Sequence, residues 1–332
     1  MLYAKDSNDT LMIARNANKN GDYHCPYCKN KVVLKNGSIK ASHFAHLHKN
    51  SNLCNKSETY EHYMFKYELA QKLNELNFYV VIEPYISQCY QYPDLIINNK
   101  IAVEIQFSNI TIDNIKKRSN ALAKIGFDVV WIIGKLKYNK RTNILTLNKC
   151  ERAYIDLKKR QLFSWHSDTF VLYRYKIVQF IGGNRFIAHR EQLSYKQFTY
   201  YFYTSDSVML PCNFKLTHSA IKQYIKNCRR QCSVKEPSLS VIYNLQLGET
   251  WICENLGIVY PEQIFIQSHP IYWQLQLMNR IDKNKINVRE FSNTIKYNEF
   301  YNYEVNRLLI AQRIVHKFQK SYQNIGYNNV QN

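Results

Sequence analysis

The spacing of apolar positions changes character twice along the chain. Residues 1–56 carry short stretches rich in Cys, His, Asn and Lys, with too little apolar material for a core of their own without a staple. From Ser57 the segment SETYEHYMFKYELAQKLNEL sets Tyr60, Met64, Tyr67, Leu69, Leu73 and Leu76 broadly along one helical face behind Ser57 as N-cap. This predicts a helix of about four to five turns at ~3.6 residues per turn. Three β-type runs follow, Phe78–Glu83, Tyr92–Ile97 and Ile101–Phe107, the last two separated by the turn-prone Asn98-Asn99-Lys100. A second helix is expected from about Ile112 to Ile125, with Gly126 as C-cap, and then an apolar strand, Phe127–Ile133. A helix between two strands favours a parallel crossover, so the expected class is α/β (α+β), with helices covering a sheet. Beyond Glu151 come aromatic, β-rich runs such as Thr169–Phe180 and Phe198–Thr204, and then mainly helical text from Ile221 to Gln323. Three parts are expected: 1–56, 57–150 and a mixed C-terminal region, 151–332.

Charge then narrows the choice of partner. Lys plus Arg number 45 against 25 Asp plus Glu, a formal net charge of +20, and such an excess attracts polyanions, nucleic acid foremost. With 9 Gly, 7 Pro and 45% hydrophobic residues, collagen-like and broadly disordered readings are excluded. No run approaches the roughly 18 apolar residues of a bilayer span. Met1–Leu11 carries Asp6 and Asp9 without an apolar stretch, so a secretion signal is not expected and the protein is expected in the cytoplasm. Nine cysteines without a regular framework, in a reducing compartment, point to metal ligation before disulfides. Tyr200, Tyr201, Phe202 and Tyr203 beside basic residues offer a stacking platform for single strands, although packing is the commoner use of such aromatics.

The sharpest local signal is Tyr92-Pro93-Asp94 followed by Glu104-Ile105-Gln106. A two-residue turn at Asn98-Asn99 would put Asp94 opposite Val103 and send Glu104 to the other face; a three-residue turn, 98–100, sets Asp94 opposite Glu104. Asp94, Glu104 and Gln106 then share one face, and Leu95, Ile97, Val103, Ile105 and Phe107 fill the other. Two carboxylates at one site resist joint ionisation unless a cation neutralises them, and Mg²⁺ or Mn²⁺ is the natural occupant. Such an ion can polarise a phosphodiester and activate water. The competing reading is an Asp at a strand end and a Glu in an ion pair. Glu58, His62 and Lys66, spaced by four, stack on one helical face, which is either an exposed ladder or a polar line looking into a site. Cys25-x2-Cys28 with His43-x2-His46 offers four ligands for tetrahedral Zn²⁺, with His24, His48 and Cys54 as substitutes; His-x2-His is one residue tighter than usual zinc-finger spacing. Ser108, Thr111, Lys116, Lys117 and Arg118 surround a helix start that would attract phosphate, or else form a solvated face. Cys228 and Cys232 read as buried thiols.

Pro93-Asp94, a hairpin, Glu104-x-Gln106, a preceding helix and a following helix–strand resemble the PD-(D/E)xK nuclease fold, a restriction-endonuclease-like core, with Gln in place of the usual Lys. His24-Cys25-Pro26-Tyr27-Cys28, Lys40-Ala41-Ser42-His43-Phe44-Ala45-His46, Ser57-Glu58 with His62 and Lys66, Glu104-Ile105-Gln106-Phe107-Ser108, and Arg118 before Trp131-Ile132-Ile133-Gly134 resemble the CoiA-like competence protein family over about residues 1–135. The resemblance implies a zinc-ribbon-like N-terminal module and a metal-dependent nuclease-like domain. Asp94 and Glu104 would be metal ligands, Ile105 would add a carbonyl oxygen, and Glu58 would assist the metal. His62 or Lys66 would contact water or phosphate, and Gln106 would orient water without supplying charge. It further implies DNA, single-stranded or branched, as substrate during natural transformation, with recombination or competence proteins as partners. The alternatives are a non-catalytic DNA-binding accessory protein and an adaptor.

Overall fold

The structure, a computed structural model, describes residues 3–26, 29–36, 42–47, 60–204, 214–231, 233, 236–282 and 286–329. The chain divides into two compact units, Met1–Pro84 with Asp94–Asn98, and Tyr85–Pro93 with Asn99–Asn332.

In the first unit, β1 (Tyr3–Lys5), β2 (Leu11–Ile13), β3 (Tyr23–His24), β4 (Lys31–Lys35) and β5 (His43–His46) form an antiparallel sheet in the order β2-β1-β3-β4-β5. Its small core gathers Ala4, Ala14, Tyr23, Cys25, Val32 and Phe44, with the Tyr23 and Phe44 rings 4.9 Å apart. Helix α1 (Tyr60–Glu75) and the antiparallel pair β6 (Val80–Ile82) and β7 (Leu95–Ile97) complete the unit. The buried side of α1 differs from the expected one. Met64 and Tyr67 are exposed, whereas Tyr63, Lys66, Leu69, Ala70 and Leu73 are buried at i, i+3, i+4 spacing. A fully buried lysine stands in the middle of that stripe, which is why an apolar periodicity search slides off it.

In the second unit, β8 (Ile101–Gln106), helix α2 (Ile112–Lys124) and β9 (Asp128–Ile133) make the expected crossover: β8 and β9 are parallel, with Glu104 opposite Trp131. Thr111 caps α2 by accepting from the Asn114 N–H. The hairpin β10 (Lys137–Asn139) and β11 (Ile144–Thr146) leads into helix α3 (Lys149–Ala153), inside which the division expected at residue 150 falls. Next come β12 (Gln161–His166), β13 (Val171–Gly182) and β14 (Arg185–Leu193). The strands run β10-β11-β14-β13-β12-β9-β8, so the parallel trio β8-β9-β12 is extended by antiparallel strands.

The run Phe198–Thr204, expected as β-rich, is instead helix α4 (Tyr195–Tyr203). Its Ser194 cap and Gln197 form a reciprocal capping box, and this local signal outweighs the β propensity of the tyrosines. Phe198 and Phe202 are buried while Tyr200 and Tyr203 face solvent. The remaining elements are β15 (Phe214–Lys215), α5 (His218–Arg230), α6 (Pro237–Asn244), α7 (Glu249–Asn255), β16 (Ile258–Val259), α8 (Pro270–Asp282), α9 (Val288–Thr294) and α10 (Arg307–Asn329). They pack around Trp273, Leu275, Leu277, Phe291, Ile314 and Phe318, in keeping with the helical pattern expected after Ile221.

Candidate active site

Asp94 stands one residue before β7 and is 1% exposed. Its carbonyl accepts from the Glu83 N–H at 3.0 Å, and Glu83 itself holds a left-handed backbone, φ 48°. That conformation is uncommon for a residue with a Cβ and costs about 1–3 kcal/mol. It turns the Glu83 side chain to Lys66, whose Nζ donates to Glu83 Oε1 at 2.7 Å and lies 4.0 Å from Asp94 Oδ1. Lys66 is 0% exposed, and the Tyr63 and Tyr67 rings flank its ammonium at 5.9 and 6.0 Å. One turn earlier on α1, His62 Nε2 lies 3.5 Å from Asp94 Oδ1. His62 and Lys66 therefore turn toward Asp94 and do not form a solvent-facing ladder. The sequence pattern did not reveal Glu83, because it ended a run taken as strand and bore no periodic relation to the helix. Glu58 lies outside the described residues.

In the second unit Glu104 is 0% exposed on β8 and pairs with the Arg118 guanidinium of α2. Arg118 is positioned from behind, with its guanidinium carbon 5.3 Å from the Trp131 ring centroid. Trp131 donates through Nε1 to Ser119 Oγ at 2.9 Å, and Ser119 donates to the Ile115 carbonyl at 2.8 Å. The strand–helix crossover thus delivers one buried carboxylate and one oriented cation. Ile105, next on β8, is buried opposite Ile132.

Gln106 donates from Nε2 to the Ser108 carbonyl at 3.0 Å and to Ser108 Oγ at 2.8 Å. Ser108, expected to contact phosphate, instead fixes the Gln106 amide. Lys116 is paired with Glu299 at 2.6 Å, whereas Lys117 is exposed and lines a 340 Å³ depression with Lys124, Asn120 and Cys89. Burial pushes the Cys89 thiol up, and the nearby Glu104 carboxylate adds to the effect.

The zinc constellation is only partly described. Cys25 is buried in the core of the small sheet, and Cys28, His48 and Cys54 lie outside the described residues. His43 and His46 pair with Lys35 and Val32 on β5.

Two family models match the chain: "Competence protein CoiA, nuclease-like domain" over residues 58–208, and "Competence protein CoiA, N-terminal domain" over residues 6–55. The curated competence protein CoiA of Bacillus subtilis (strain 168) is 32% identical over 116 residues, 34% of this chain. That match spans 31% of the relative's length. No solved structure matches. Among the described residues no helix is long and apolar enough to cross a membrane. The mixed α/β sheet with its crossover helix fits a restriction-endonuclease-like core.

Proposed function

Since the chain belongs to the CoiA competence protein family, we propose that its nuclease-like domain is a divalent-metal-dependent deoxyribonuclease serving natural transformation. The observation that carries this reading is a pair of carboxylates, Asp94 and Glu104, buried to 1% and 0% exposure and each set beside cations. Buried carboxylates with basic neighbours are expensive to keep for stability alone and are characteristic of working sites.

The donors suit Mg²⁺ or Mn²⁺: hard carboxylate oxygens in places where water cannot solvate their charge, with the Ile105 carbonyl as a further oxygen. When bound, the ion would polarise the scissile phosphodiester and lower the pKa of the attacking water. Gln106, its amide nitrogen spent on Ser108, presents Oε1 to accept a hydrogen bond from that water. His62 beside Asp94 would take up the proton. Arg118 would exchange part of its contact with Glu104 for the charge developing on phosphate, and Lys117 would hold the strand nearby. In the first module, Cys25, Cys28, His43 and His46 would hold a structural zinc.

The substrate proposed is incoming single-stranded DNA or a branched recombination intermediate in the cytoplasm, handled with other competence or recombination proteins. One observation favours a second reading, a DNA-binding accessory without catalysis: both carboxylates already have cationic neighbours. The two separate in a cleavage assay on single-stranded, duplex and branched DNA with Mg²⁺, Mn²⁺ or EDTA. Metal-dependent cleavage absent from Asp94→Ala/Glu104→Ala establishes the enzyme. DNA binding without cleavage establishes the accessory.

A further inference from the structure

A second feature of the larger unit belongs to neither carboxylate cluster. The β10–β11 hairpin frames an open groove of 820 Å³. Lys137, Lys140 and Arg141 line it from the hairpin, and Arg185 lines it from the start of β14. The lining contains four cations and no carboxylate. None of the four forms an ion pair among the described residues, whereas Lys116, Lys135 and Lys317 of the same unit are paired with Glu299, Asp168 and Glu262. The groove is held in shape by its own backbone. Asn139 Oδ1 accepts from the Arg141 and Thr142 N–H groups at 3.0 and 3.3 Å, and the Tyr138 hydroxyl donates to Asn143 Oδ1 at 2.7 Å. Arg190, which does not line the groove, stacks over the Tyr138 ring at 4.8 Å.

Like charges gathered in one concavity repel each other, and their field concentrates anions there. Lysine on a terminal strand such as β10 is an ordinary guard against edge-to-edge pairing. That explains Lys137 alone; it does not explain cations in the turn and on β14 converging on one groove. Two anionic partners fit the charge, a nucleic acid and a lipid surface. No large exposed hydrophobic side chain lines the groove, so nothing there would enter a bilayer. We propose that this groove binds the sugar–phosphate backbone of a nucleic acid, as a second binding surface apart from the carboxylates. The proposal rests on DNA as the partner but not on cleavage.

The test is fluorescence anisotropy of labelled single-stranded and duplex oligonucleotides with the full chain across a salt series. Lys140→Glu/Arg141→Glu is compared with Lys222→Glu/Lys226→Glu, an equal charge change at exposed positions of α5. The groove variant should bind about tenfold more weakly or worse, and its slope of log affinity against log salt should fall by roughly two, one for each phosphate no longer neutralised. The α5 variant should stay within about twofold of the parent. The milder Lys140→Gln/Arg141→Gln, with an unchanged melting temperature, should show the same weakening in smaller degree. Equal weakening in the groove and α5 variants, or none in either, overturns the proposal. So does a groove variant that loses binding to phosphatidylglycerol vesicles while its DNA affinity stays intact. Cleavage is scored separately: a groove effect in a protein that never cleaves sinks the nuclease reading and leaves the groove standing.

Discussion

Lys66 and Lys140 carry the same charge into opposite surroundings. Lys66 is sealed inside the first unit and held by Glu83 at 2.7 Å with Asp94 at 4.0 Å. Lys140 stands in a solvent-facing turn beside Lys137 and Arg141 with no carboxylate in the groove. Burial removes hydration, so a cation there persists only with an anion supplied by the fold. In water, cations can cluster unpaired at small cost, and the cluster then becomes a surface for an anionic partner. His269 is the third case. It is half-buried and stacked on Tyr224 at 4.1 Å, with no carboxylate paired to it among the described residues. It has given up its charge: burial, helped by Arg185, lowers its pKa to about 3, and its Nδ1 accepts from the Ile271 N–H.

The comparison is broken most severely by Lys66→Ala, which leaves Glu83 and Asp94 without their buried cation. The expected cost is about 3–5 kcal/mol in denaturant unfolding. Lys66→Met/Glu83→Gln, which removes charge from both partners and keeps the volume, should recover much of it.

Next in size is the pH dependence set by His269. Its folded pKa lies below the unfolded value of about 6.5, so the unfolded state binds the proton first. The stabilisation from the neutral ring is present above about pH 6.5 and is lost as pH falls toward 3, at roughly 1.4 kcal/mol per pH unit. His166, also lowered by burial, acts in the same direction. His269→Gln should flatten the stability profile between about pH 6 and 4; an unchanged profile would show that the ring titrates normally.

The smallest effect expected is that of Ser119→Ala. It removes the Trp131 Nε1 partner behind Arg118 and should cost ~1 kcal/mol in the same unfolding measurement.

The crossover β8-α2-β9 was legible because local signals agree there: a period-two run, a helical stretch and a glycine after it. Asp94, Glu104, His62 and Lys66 were legible as residues, and the structure brings His62 and Lys66 to Asp94. Three features were hidden, each for a physical reason. A buried lysine disguises the apolar face of α1, since a polar letter breaks the pattern that burial normally writes. Glu83 reaches the site through a left-handed backbone that no side-chain spacing announces. Arg118 and Ser108 read as phosphate contacts, but they turn to Glu104 and Gln106 because tertiary packing supplies closer partners. The antiparallel extension by β13 and β14 was visible only as aromatic texture, since pairing across the sheet is not written in local sequence.

The central claim is that Asp94 and Glu104 serve one divalent ion, and calorimetric titration of the full chain with Mn²⁺ tests it most directly. The account predicts specific binding that is abolished in Asp94→Asn and equally in Glu104→Gln, while both variants keep the parent's fold. Binding that survives Glu104→Gln unchanged, or no binding by the parent, would contradict it.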